Sequence, residues 1–198
     1  MLNNKFSKGV IFSCIAAIFW GLPQPLFFNE LNHVETIEVV AHRGFWSFIF
    51  LFLLLILISN ISDFIVIFKS RNRIFILTIT AFLIAGNWAG FIYSVGQERV
   101  QDASMGYFIT PMISIVLGYF FLNEKITKPK FASVCLMFSG ILFLFINLNQ
   151  FPFLIIWIGT SWAIYGLLRK QVNVNPPIGL LYETFIISLI STPYLVYL

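Results

Sequence analysis

The chain has 198 residues, of which 59% are hydrophobic and only 10% are charged, and its mean hydropathy is +0.91. A soluble domain carries roughly 25% charged residues, so these values exclude a soluble domain and predict a membrane protein. Few stretches alternate apolar and polar residues, which argues against an outer-membrane barrel. The formal net charge of +4 comes from short loops rather than from one basic face, so we expect no nucleic-acid partner.

Seven apolar stretches are candidates to cross a lipid bilayer as helices, since a spanning helix needs about 20 residues. They cover residues 10–28, 39–58, 74–95, 103–122, 131–146, 153–168 and 178–197. Pro23 and Pro25 are expected to break or kink the end of the first stretch. The connections, the longest being residues 59–73, are too short for a folded soluble domain. The sequence therefore predicts an all-α polytopic membrane protein.

The distribution of Lys and Arg predicts the orientation, because these residues favour cytoplasmic loops. A cytoplasmic N-terminus places ten of the 12 cations on the cytoplasmic side, leaving Arg99 outside and Arg43 within a span. Seven spans then place the C-terminus outside.

A short internal similarity predicts a repeat. Residues 19–22 (Phe-Trp-Gly-Leu) align with residues 164–167 (Ile-Tyr-Gly-Leu), and His42-Arg43 then aligns with Tyr182-Glu183. A unit of five helices makes its second copy cross the bilayer in the opposite sense, and inverted repeats of this kind are typical of transporters. We expect the first unit at residues 1–148 and the first two helices of a second unit at residues 149–198, which is seven helices of an expected ten.

Ionisable residues inside the predicted spans are the main candidates for a substrate path, because charge in a membrane is costly and usually faces protein or a wet cavity. Arg43 lies beside His42 and Trp46 in the second span, and the alternative for Arg43 is that its side chain extends to the headgroups. Glu183 lies in the seventh span without a nearby cation in the sequence, which makes it a candidate proton site, and the alternative is a structural, hydrogen-bonded carboxylic acid. We expect Arg43 and Glu183 at depths about 14 Å apart, too far for a direct ion pair.

The fourth span carries a polar and small stripe spaced three and four residues apart, which lies on one helical face. Its members include Ser104, Tyr107 and Pro111, and it ends at Gly118. Both a substrate-lining face and plain helix packing, especially at Gly118, are consistent with this pattern.

The third span contains a Gly-x-x-x-Gly pattern at Gly86 and Gly90, which predicts close helix packing. Asn87 and Trp88 between them are candidates for the substrate path, since an amide in a membrane must find a partner. No nucleophile elbow, phosphate loop or metal-ligand pattern occurs, so neither an enzyme nor a cofactor nor a metal site is expected.

The same residues carry a resemblance to a known family. They are Trp20-Gly21, Ala41-His42-Arg43 with Trp46-Ser47, Gly86-Asn87-Trp88, residues 103–109 leading to Pro111, and Glu183-Thr184. With them the chain resembles the RarD-type, chloramphenicol-sensitivity branch of the EamA family in the drug/metabolite transporter superfamily. It departs from that pattern at Asn123, where the family usually has Gly.

The resemblance implies a ten-span permease of the bacterial cytoplasmic (inner) membrane that moves small organic metabolites or drugs. The expected function is therefore secondary transport of a small molecule. The alternatives are a non-transporting fragment of a split transporter gene and a structural membrane protein. A further alternative is a homodimer in which two chains complete a pore, although no sequence feature specifies such an interface.

Overall fold

The computed structural model describes residues 2–58, 62–146 and 152–198, and for residues 2–7, 62 and 63 it describes the backbone only. The expected unit boundary at residues 148–149 lies outside the described residues. Within them the chain is helical and contains no strand. The helices are α1 Leu2–Gly21, α2 Pro23–Glu30, α3 Thr36–Leu57, α4 Ser62–Ile67, α5 Arg71–Gly96, α6 Val100–Leu122, α7 Lys128–Ile146, α8 Phe153–Val172 and α9 Pro176–Tyr197.

Six helical segments of the described chain are long and apolar enough to cross a membrane. They are Lys8–Glu30, which joins most of α1 to α2, and the helices α3, α5, α6, α7 and α9. The remaining predicted span, the sixth in chain order, corresponds to α8, which has 20 residues but carries Arg169 and Lys170 in its last turn. The chain is therefore a multi-pass α-helical membrane protein, as the sequence predicted.

Helix ends follow from local chemistry. The first span is interrupted at Leu22, directly before Pro23, as predicted from the two prolines. The side chain of Ser70 accepts a hydrogen bond from the backbone N–H of Arg73 and so caps α5. Asn123 ends α6 in the left-handed conformation with φ of 53°, which favours Gly first and Asn next. The Asn at this position therefore forms the kind of helix end that the Gly expected from the resemblance would also form.

The long helices run alternately between two ends of the bundle. Most Lys and Arg lie at the end where α5, α7 and α9 begin, which we call the basic end. Glu30, Glu35, Glu38, Glu98 and Asp102 lie at the opposite end, which we call the acidic end. Helix α1, the first of one expected unit, runs opposite to α8, the first of the other. Helix α3 likewise runs opposite to α9, as an inverted arrangement requires.

Helix α8 packs closely along α6 and α5. Small residues make the α6–α8 approach close: a Cβ on Gly159 would lie 2.7 Å from the carbonyl oxygen of Gly106. On the α5 side, Trp157 lies over Gly86 and Gly90, and its indole N–H donates to the Gly86 carbonyl at 2.9 Å. Gly118 instead lies beneath the side chain of Glu124. Helix α8 thereby fixes the positions of the side chains between α5 and α6.

Helices α3 and α9 pack against each other in opposite directions, and Gly44 contacts Ile187. Arg43 is the eighth residue of α3 and Glu183 is the eighth residue of α9. Both helices begin two to three residues earlier than predicted, so both residues lie deeper in the bundle. Because Gly44 is level with Ile187, the backbones of Arg43 and Glu183 differ in depth by about 7 Å rather than the predicted 14 Å.

The predicted connection at residues 59–73 contains the short helix α4, whose Phe64 and Ile67 pack with Tyr182 and Leu181 of α9. This connection is thus part of the packed bundle at its basic end.

Candidate functional site

One candidate cavity lies between the α1–α2 segment and the first half of α3, and its volume is about 910 Å³. We call it the Arg43 cavity. Its walls are mainly apolar and aromatic, with polar groups from a few residues. The polar lining residues are Gln24, Glu38, His42, Arg43 and Ser47, and the aromatic ones are Phe19, Trp20, Phe27, Phe28 and Trp46. This composition is typical of small-molecule sites, which have apolar walls and few polar groups.

Arg43 is held in this cavity by aromatic rings. Its guanidinium carbon lies 4.2 Å from the ring centre of Trp88 and 5.6 Å from that of Phe28. Cation–π contact of this kind offsets part of the cost of placing a cation in a membrane. The Nη1 atom of Arg43 is buried and has no hydrogen-bond partner among the described residues. The guanidinium is therefore positioned by contact of its flat face with the two rings, and its Nη1 makes no hydrogen bond to the described residues.

A second cavity of about 490 Å³ lies between α1–α2 and the helices α5, α6 and α8. We call it the Tyr107 cavity. Ser104, Tyr107 and Pro111 of the predicted polar stripe line it, so one face of α6 borders an open space. Trp20 and Gln24 line both cavities. The two cavities therefore share one wall formed by the α1–α2 segment.

An aromatic cluster surrounds the Tyr107 cavity. Trp162 stacks on Tyr165 with 5.1 Å between ring centres, and it meets Trp20 and Tyr107 edge to face. Phe91 contacts Tyr107 from α5. These rings join the first span to helix α8 and give the cavity a rigid apolar lining.

Asn87 lies at the junction of α5, α6 and α8. Its amide donates to the Ile158 carbonyl and to the Ser161 hydroxyl, each at 3.0 Å, and its oxygen accepts from the Tyr107 hydroxyl at 3.0 Å. The side chain is only 1% exposed and lines neither cavity. Asn87 thus acts on the site through Tyr107, whose ring it fixes.

Glu183 is fully buried in a polar network between α5, α8 and α9. Its carboxylate accepts hydrogen bonds from the Thr80 hydroxyl at 2.7 Å and the Tyr165 hydroxyl at 3.0 Å. Arg169 Nε lies 3.6 Å from the same carboxylate. The expectation that no cation is near Glu183 was wrong, because Arg169 belongs to the last turn of α8 and points inward rather than into a loop. Glu183 lines neither cavity.

An ion pair at the basic end lies near this network. Lys170 Nζ donates to the carboxylate of Glu124 at 2.5 Å and thereby joins the loop after α6 to the end of α8. The hydrogen bond and charge of Lys170 lower the pKa of Glu124 below its usual range. The carboxylate therefore stays ionised and the contact persists at neutral pH.

The predicted site residues thus fall into three places. Arg43, His42 and Trp46 line one cavity with Trp88 behind the arginine, while Ser104, Tyr107 and Pro111 line the other. Asn87 and Glu183 lie in buried networks. Sequence reasoning missed Thr80, Tyr165, Arg169, Trp162 and Gln24, although Tyr165 and Arg169 are spaced four apart and therefore share a helix face. Among the described residues no group of three or more His, Cys, Asp or Glu side chains could hold a metal ion.

Comparison with known proteins places these features in a family. The model of the EamA-like transporter family matches residues 7–146. The chain belongs to this family. It is 33% identical to Protein RarD of Escherichia coli over 95% of the chain and 63% of that protein. It is 32% identical to an uncharacterized transporter of Vibrio cholerae over 96% of the chain and 63% of that protein.

Another relative is the uncharacterized transporter YojE of Bacillus subtilis, with 30% identity over the whole chain and 67% of that protein. The chain thus spans about two thirds of the length of these relatives, and no solved structure matches it. Family membership places the bundle in a lipid bilayer. The cavities thus belong to a protein whose relatives are named as transporters.

Proposed function

We propose that the chain acts as a secondary transporter, or permease, of small organic molecules in the bacterial inner membrane, with its N-terminus in the cytoplasm. The observation that carries this proposal is the pair of adjoining cavities at the level of Arg43 and Tyr107, in helices of a transporter family. Their volumes, about 910 and 490 Å³, are of the size of small-molecule sites. The distribution of Lys and Arg supports the orientation, with the basic end in the cytoplasm.

The proposed path runs along the wall shared by the two cavities. Trp20 and Gln24 of the α1–α2 segment face both spaces, and α1 contains no buried residue among those whose side chains are described. A segment with so few buried contacts can shift at low cost, and the break at Leu22 gives it a joint. Movement of this segment between α3 and α6 would exchange access to the two cavities.

The test is uptake into liposomes that contain the full chain. A panel of radiolabelled metabolites and drugs of neutral, cationic and anionic character is the probe. Ser104→Trp fills the Tyr107 cavity and should abolish any uptake that the unchanged chain shows. The matched control is Ser133→Trp on the exposed surface of α7, because both serines donate to the carbonyl four residues earlier at 3.0 Å.

Uptake that survives Ser104→Trp would refute the assignment of the path. No uptake of any compound by inserted and stable chain would refute the transport function for these 198 residues. It would favour a non-transporting fragment instead.

A further inference from the structure

The electrostatics of the Arg43 cavity indicate which class of molecule fits it. Within the described residues, Arg43 forms no ion pair: the pairs formed there involve Arg99, Arg169 and Lys170. Its buried Nη1 has no hydrogen-bond partner. A buried donor on a cation carries a desolvation cost unless an acceptor meets it. Arg43 itself lines the cavity, from which an acceptor can approach its side chain.

The geometry of the guanidinium selects the acceptor. Its face is used by Trp88 at 4.2 Å, so only its edge is free to bind. The N–H groups at the edge of a guanidinium are coplanar and match the two oxygens of a carboxylate. A single neutral acceptor would use only part of this edge and would leave the charge uncompensated.

The rest of the cavity limits the charge and the shape of the molecule. Glu38, in the first turn of α3, lines the same cavity, so Arg43 and Glu38 together contribute no net formal charge. A second negative charge on the ligand would face Glu38 without a further Arg or Lys in the lining. Trp20, Phe27 and Trp46 supply apolar and aromatic walls for the remainder of the molecule.

We propose that the Arg43 cavity binds a monocarboxylate with an aromatic or otherwise apolar body, its carboxylate held by the edge of Arg43. This inference rests on the proposed transport function and names the substrate class of that same site. Multiply charged anions and neutral compounds bind less well, the former because of Glu38 and the latter because they leave Arg43 without a counter-ion.

The test is direct binding to the full chain in lipid nanodiscs at about pH 7, measured by calorimetry. The probes are 3-phenylpropionate, its neutral amide and the dianion benzylmalonate, which share a phenyl body. We expect the acid to bind roughly 10-fold or more tightly than the amide and the dianion, since a charged hydrogen-bonded pair contributes about a factor of 10. Arg43→Gln should remove this preference, while Arg43→Lys should keep part of it because a point charge lacks the planar fork.

The control is Arg71→Gln, which makes the same substitution at an exposed position at the start of α5 and should leave binding unchanged. Equal binding of acid and amide by the unchanged chain would overturn the inference, as would absence of binding by all three probes. So would Arg43→Gln protein that is less stable but binds the acid as before, because Arg43 would then have a structural role only. Uptake of neutral or cationic compounds in the liposome assay, without acid binding here, would overturn this inference and leave the transport function standing.

Discussion

The contact between α6 and α8 predicts a position-dependent response to a single methyl group. Gly159→Ala would place a Cβ 2.7 Å from the carbonyl oxygen of Gly106 and 3.3 Å from the Cβ of Ile109. Both neighbours are fixed by helix backbone, so the helices must separate to admit the methyl group. Overpacking of this kind costs about 1–3 kcal/mol of unfolding free energy. The matched control is Gly166→Ala on the same helix, where a Cβ meets no heavy atom within 4 Å.

The comparison of the two variants isolates the packing term. Replacing Gly by Ala raises helix propensity by up to about 1 kcal/mol at either position, and that gain cancels in the difference. We therefore expect Gly159→Ala to be about 1–3 kcal/mol less stable than Gly166→Ala. The assay is unfolding of the purified full chain by SDS in mixed micelles, followed by tryptophan fluorescence, since Trp157 and Trp162 flank Gly159 on α8. Free energies of unfolding that agree within about 0.5 kcal/mol for the two variants would refute the close approach of α6 and α8.

Three further predictions concern the buried networks and the orientation. Asn87→Ala removes three hydrogen bonds and should cost about 2 kcal/mol, whereas Tyr107→Phe removes one and should cost about 0.6 kcal/mol; equal losses in the SDS assay would contradict the shared role of Asn87. Arg169→Met leaves Glu183 without its cation and should cost about 3–5 kcal/mol, and combining it with Glu183→Gln should restore most of that stability; an additive double mutant would exclude coupling. A reporter fused after Leu198 should be found on the outer side of the membrane, and a reporter found in the cytoplasm would contradict the assigned orientation.

The helices could be predicted from the sequence because hydropathy alone separates spans from connections in a membrane. The errors arose where polar residues belong to helix ends. Thr36 and Glu38 open α3 before the apolar stretch, and Pro176 opens α9 where its missing N–H costs nothing. Helix α8 extends to Val172 because Arg169 and Lys170 lie in its last turn, where cations interact favourably with the helix dipole.

The candidate site could be predicted only in part, for a related reason. Arg43 and Glu183 were recognised because a charge inside a span is costly wherever it points. Their partners could not be recognised from spacing: Thr80 lies 103 residues from Glu183 and is brought to it by the packing of α5 on α9. Trp88 was placed in the path, but its role beneath Arg43 depends on how α3 crosses α5. The energetic cost of a charge inside a span identifies the charged residue from the sequence, whereas only tertiary packing shows which residue neutralises it.

The two ionisable residues that occupy the eighth position of α3 and of α9 have opposite environments. Arg43 stacks on Trp88 and its buried Nη1 has no hydrogen-bond partner among the described residues, whereas both oxygens of Glu183 are engaged by Thr80 and Tyr165. In transporters built from inverted repeats, alternating access is largely a rocking of one repeat against the other around a fixed site. Under the proposed mechanism the α1–α2 segment moves between α3 and α6, while the network around Glu183 holds α5, α8 and α9 together. Substrate bound at Arg43 can favour one position of the segment only by as much as it binds that arrangement more tightly than the other.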